Sequence, residues 1–175
     1  MNSSQKITDK LFQVVKDEYG DKYPDHLIEQ YKTYLEMADR ISSRRQSANS
    51  FFVTLNTTII ALVSYVNFGD KRATEFYWLI SIAGMTLSYM WYRLIRSYKD
   101  LNSAKFKVVH EIEAKLPISP YDAEWEAVEK GENPKLYLPF THIEIYIPWV
   151  FFAVHSFVFL RCLPWSIMLE SLYNK

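Results

Sequence analysis

Asn49, Ser50, Asn56, Thr57 and Ser64 interrupt an apolar run, QSANSFFVTLNTTIIALVSYVNFG at 46–69, that holds no Asp, Glu, Lys, Arg or His. Ser50, Thr57 and Ser64 recur every seven residues, as do Asn49 and Asn56. On a helix such spacing places them on one side, opposite Phe52, Leu55, Ile59, Leu62 and Val66. The strip has three chemical uses. It can form a dry hydrogen-bonded interface between helices, line a wetted pore, or, for Ser and Thr, bond back to carbonyls of the preceding turn. His155 is the one side chain in IYIPWVFFAVHSFVFL at 145–160 that titrates near neutral pH. It is either a functional proton-exchanging group at membrane depth or a neutral imidazole bonded to a carbonyl of a neighbouring helix. Arg40, Arg44 and Arg45 precede the first run, and Arg93 and Arg96 follow the second. They read either as a cytoplasmic mouth that meets anions or lipid headgroups, or as ordinary topology signals.

Catalytic constellations are missing from the sequence. His110-Glu111 does not continue as a zinc-protease motif, because position 114 is Ala. Four His and one Cys show no metal-ligand spacing, and neither a nucleophile elbow nor a phosphate loop occurs. Asp122, Glu124, Glu126 and Glu129 read as the solvated face of a short helix, and Cys162 has no partner for a disulfide. Neither enzymatic activity nor a cofactor is expected. Twenty Lys and Arg balance twenty Asp and Glu, which leaves no basic field for nucleic acid.

The elements that must position these residues follow from where charge is absent. A second uncharged run, FYWLISIAGMTLSYMWY, occupies 76–92, and aromatics sit near the ends of all three runs: Phe51, Phe52, Tyr77, Trp78, Trp91, Tyr92, Trp149 and Trp165. A membrane-crossing helix needs roughly 17–25 mostly apolar residues, and interfacial aromatic belts are common. The fold expected is all-α, a helical integral membrane protein with three transmembrane helices. Leu27, Tyr31, Tyr34, Ala38 and Ile41 open a heptad seam that runs on through Arg45, Ala48, Phe52 and Leu62. The first helix is therefore long, about 65 Å at 1.5 Å per residue. Leu94, Tyr98, Leu101, Val108 and Ile112 give the second helix a matching extension, closed before Pro117.

The first two helices thus form a long hairpin over 24–116 that extends into the cytoplasm, with spans at about 48–68 and 76–95, joined by a polar connector at 69–75. Residues 1–23 carry a separate amphipathic helix at 4–19. A cytoplasmic cap occupies 117–141, where Ser119 caps a short helix ending near Gly131 and 132–140 is extended. The third span covers 142–169, opened by a Thr141-x-x-Glu144 capping box and kinked at Pro148, and a tail occupies 170–175. Gly84-x-x-x-Ser88 permits close helix approach. Lys and Arg near the span ends put the N-terminus in the cytoplasm and the C-terminus on the far side of the membrane.

The strings YLEMADRISSRRQSANSFFVTLNT (34–57), LIRSYKDLNSAKFKVVHEIEAKLPISPYDAEW (94–125) and PKLYLPFTHIEIYIPWVF (134–151) resemble the RipA-type small bacterial membrane proteins, described as octameric. The resemblance implies a bacterial inner-membrane homo-octamer without an assigned catalytic activity. A looser similarity joins the chain to two-span effectors of bacterial conflict systems. The partners expected are other copies of the chain and membrane lipids, with a cytosolic protein partner left open. Two functions follow: a channel-like or pore-like assembly, or a non-conducting scaffold that organises lipid or recruits a cytosolic partner in envelope homeostasis, stress or defence.

Overall fold

A computed structural model describes residues 3–65 and 71–163. Val66, Trp165, the end of the third apolar segment and the tail lie outside them. Seven α-helices follow in order: α1 (Ser3–Leu11), α2 (Lys16–Tyr19), α3 (Tyr23–Tyr65), α4 (Lys71–Glu113), α5 (Pro120–Ala127), α6 (Phe140–Glu144) and α7 (Ile147–Cys162). No strand occurs among the described residues. Two compact units divide the chain. Unit 1 comprises Met1–Gln46 and Arg96–His142; unit 2 comprises Ser47–Ile95 and Ile143–Lys175. Helices α3 and α4 contribute to both.

The long helices keep the 3.6-residue period of an undistorted helix rather than the 3.5-residue period of a coiled coil. Val63 lies 36 residues after Leu27, ten turns at 3.6 residues each. A 3.5-residue repeat would have ended on Leu62. Val63 is buried at 7% exposure, whereas Leu62 is 61% exposed. Leu101 drifts out in the same way, and Asn102 takes its place as a half-buried residue. The expected seam is therefore correct near its start and one residue out of phase at its end.

In unit 1 the α3 and α4 segments run antiparallel, with Tyr31 beside Glu113 and Lys105 over the Tyr34 ring at 4.4 Å. Ala38, Val109 and Ile112 form its buried apolar core. The expected single helix at 4–19 is instead two pieces, α1 and α2, with Val15 extended at φ −82° and ψ 156°. The β-branched pair Val14–Val15 is a poor helix former. Thr8 on α1 donates to Glu111 on α4.

Glu113, not Ser119, caps α5. Its fully buried carboxylate accepts Tyr31 Oη at 2.7 Å and the backbone N–H groups of Tyr121 and Asp122 at 3.1 Å each. A carboxylate on the free N–H groups of a helix N-terminus is favoured by both hydrogen bonding and the helix dipole. Ser119 Oγ turns the other way and donates to the Glu113 carbonyl at 3.3 Å. Burial first, and then the bond to Glu113, push the Tyr31 phenol above its usual pKa, so it stays a donor.

Unit 2 packs the upper segments of α3 and α4 antiparallel and adds α7. Among the described residues two helices, not the expected three, are long and apolar enough to cross a membrane by themselves: Tyr23–Tyr65 and His142–Cys162. The α4 segment falls short because tyrosines, tryptophans, Ser81, Gly84, Thr86 and Ser88 dilute its apolarity. It also begins at Lys71, inside the expected connector. Only 11% of the apolar window in the first candidate and 17% of that in the second is buried. A core helix of a water-soluble domain would be mostly covered.

The third apolar segment opens on a broken helix. Pro148 lacks the N–H that would bond the Glu144 carbonyl, so α6 stops at Glu144 and α7 restarts at Ile147. Glu144 Oε1 accepts from Asn49 on α3; the Thr141 side chain of the expected capping box lies outside the described residues.

Candidate functional site

The α3, α4 and α7 segments of unit 2 enclose a polar core. One face of α4 carries Tyr77, Ser81, Gly84, Ser88, Trp91 and Ile95, spaced by four and three residues. Ser81 and Ser88 are each 1% exposed. Asn56, on the α3 face that also carries Asn49, Phe52 and Val63, is fully buried. Its Nδ2 donates to the Phe52 carbonyl at 2.9 Å, which fixes the amide so that Oδ1 faces α7. His155 Nε2 lies 3.0 Å from that oxygen and therefore donates to it. Ser88 Oγ donates to the Gly84 carbonyl at 2.8 Å and sits 3.3 Å from Asn56 Oδ1.

Gly84 is required by the approach of α7. A Cβ at this position would overlap the imidazole ring of His155. The small-x-x-x-small pair Gly84 and Ser88 thus serves as a contact for a histidine inside one chain.

A second cluster lies toward the charged end of unit 2. Trp91 Nε1 donates to Asn49 Oδ1 at 2.8 Å, and Asn49 Nδ2 donates to Glu144 Oε1 at 3.0 Å. Trp91 stacks on Phe52 with ring centroids 5.7 Å apart and a 6° interplanar angle, and touches Phe151 at 5.9 Å. At 1% exposure Trp91 belongs to the core and not to an interfacial belt; Tyr77, at 3%, does likewise. Phe51, Trp78 and Trp149 remain well exposed. A Trp91→Phe variant keeps the stack and loses the indole donor. It should destabilise unit 2 by about 1 kcal/mol, read as a lower thermal midpoint in lipid nanodiscs.

The structure divides the polar strip in two. Asn49 and Asn56 are paired inside the unit, whereas Ser50, Thr57 and Ser64 are exposed one helical step away. Thr57 Oγ1 bonds the Val53 carbonyl at 2.7 Å and Ser64 Oγ bonds the Ile60 carbonyl at 2.8 Å. The reason is angular: neighbouring positions on a helix differ by about 100°, so the 49/56 set and the 50/57/64 set cannot share one face. Arg40 pairs with Glu36 on its own helix at 2.7 Å, Arg44 and Arg96 are exposed, Arg45 is half-buried, and Arg93 lies 3.4 Å from Tyr89 Oη. Sequence reasoning missed Glu144, Trp91 and Glu113 as hydrogen-bonding centres. The available signal was an acid or an indole flanking an apolar run on the same face as small or amide residues.

Residues 28–164 match the Octameric membrane protein family (8xMP). The chain belongs to this family. Neither the curated proteins nor the solved structures include a match to it. For an octameric membrane protein, the sparse burial of α3 and α7 has a direct meaning. Phe51, Leu62, Val150 and Phe157 are 60–64% exposed in the single chain, and lipid and sister copies are what cover such side chains in a membrane oligomer.

Proposed function

We propose that the chain builds a non-conducting, non-catalytic homo-octameric scaffold in the bacterial inner membrane. Unit 2 is embedded in lipid, and unit 1 stands on the cytoplasmic side. One observation carries the reading: the amides, the indole and the imidazole at the core of unit 2 find hydrogen-bond partners within a single protomer. Asn49, Asn56, Ser88, Trp91 and His155 bond one another or their own backbone. The exposed hydroxyls of Thr57, Ser64 and Thr86 bond carbonyls of their own turn. A permeation path needs polar groups turned to water, and the candidate lining residue Asn56 has no exposed surface.

The basic flanks support one orientation. Arg40, Arg44 and Arg45 before one uncharged run, and Arg93 and Arg96 after the next, hold unit 1 in the cytoplasm, with the end of α7 on the far side. The α4 segment is carried across as the middle partner of two apolar helices, its small polar face covered by both. Lipid fills the outer apolar surface, and unit 1 is the part available to a cytosolic partner.

Reconstitution into planar bilayers tests the proposal. No unitary current is expected across voltage and pH. Ser50, Thr57 and Ser64, exposed at seven-residue spacing, favour the channel reading instead. Current steps that change on Thr57→Leu or Ser64→Leu would replace the scaffold with that channel.

A further inference from the structure

We propose that the turn at 136–140 in unit 1 is a membrane-interface anchor, seated among lipid headgroups just before the chain enters α7. This rests on the membrane placement of unit 2. Leu136, Leu138 and Phe140 are 54%, 45% and 66% exposed, and Tyr137 beside them is 40% exposed. Four large apolar or aromatic side chains in five residues are thus left uncovered by unit 1.

The segment is a built feature rather than a loose connector. Glu129 and Lys130 both adopt positive φ, 50° and 54°, followed by Gly131 at 74°. Two non-glycine residues in the left-handed region are costly and persist only where the surroundings hold them. Beyond this reversal, Pro139 and the Trp125 ring both lie 3.4 Å from where a Cβ on Gly131 would sit. Pro139 is half-buried there, while Leu138 and Phe140 on either side of it are exposed.

Several main-chain amides in and beside the turn are bonded locally. Leu136 and Tyr137 N–H groups bond the Asn133 carbonyl at 3.0 Å, Lys135 N–H bonds Asn133 Oδ1 at 3.2 Å, and His142 N–H bonds the Pro139 carbonyl at 2.8 Å. Main-chain groups satisfied locally are what an irregular segment needs near hydrocarbon. Tyr137 adds a ring with a polar tip, the chemistry of the headgroup level.

The occupant is lipid because of chain connectivity. Phe140 opens α6, whose five residues rise only about 1.5 Å each, and two residues later α7 begins. Phe140 therefore stays close to the start of an apolar span, whatever the arrangement of the units.

Spin labels on the full chain in nanodiscs test this. Single cysteines replace Leu138, Phe140, Glu124 or Phe157 in a Cys162→Ser background, and collisions with oxygen (lipid-soluble) and a nickel chelate (water-soluble) are compared. Labels at 138 and 140 should favour oxygen several-fold, as at 157, while 124 favours nickel. Nickel preference at 138 and 140 with oxygen preference at 157 overturns the anchor alone. Exclusion of both reagents at 138 and 140 also overturns it, since a second protein copy then covers the turn. Nickel preference at 157 defeats the membrane placement of unit 2 itself.

Discussion

Glu113→Ala should unlatch α5 from the long helices of unit 1. The carboxylate it removes holds Tyr31 and the first free N–H groups of α5 at once. With the acceptor gone, a phenol and two amides lose their shared partner in a part-buried site whose centre, Glu113, has no exposed surface. Charge-assisted hydrogen bonds and a helix cap together set the loss at about 3–4 kcal/mol. Hydrogen exchange reads it residue by residue: Tyr121 and Asp122 amides should exchange far faster, with little change in unit 2. Glu113→Gln keeps one acceptor oxygen in place and should recover part of the protection. Unchanged exchange at both amides would mean that α5 is capped by something else.

The second large effect lies at Gly84. In an ordinary helix Gly→Ala is stabilising by about 1 kcal/mol through propensity. Here the added Cβ meets the His155 ring, and overpacking of a tight contact costs about 1–3 kcal/mol. Gly84→Ala should therefore be destabilising, and Gly84→Leu should displace α7 and break the His155–Asn56 bond. A double-mutant cycle isolates the cause. In a His155→Ala background the ring is gone and Gly84→Ala should become neutral or stabilising, so the two changes are strongly non-additive. Additive effects would show that the α4–α7 approach is not set by this pair.

These two sites mark what the sequence makes legible and what it hides. Helical class, the length of α3, the end of α4 and the small-x-x-x-small contact follow from local patterns: uncharged runs, periodic apolar residues and Pro117. The start of the α3 seam was readable from Leu27 to Ala38, but its end was not. The difference between 3.5 and 3.6 residues per turn is small in one heptad and amounts to a whole residue by Val63. Local rules give Glu144 a place in a capping box and say nothing of Glu113. Their partners come from elsewhere in the chain: Asn49 lies 95 residues from Glu144, and Tyr31 lies 82 residues from Glu113. Such pairings exist only once helices pack. The α4 segment was read as a span because it lacks charge. Its serines, glycine and tyrosines instead suit it to lie between partners.

Native mass spectrometry of the protein ejected directly from membrane vesicles tests the central claim, an eight-copy assembly held in lipid. The account predicts a dominant charge series at eight copies of the 20.8 kDa chain, retaining lipid and showing no single-copy species under gentle activation. A dominant single-copy series without lipid, matched by the same series from detergent-free buffer, would contradict it.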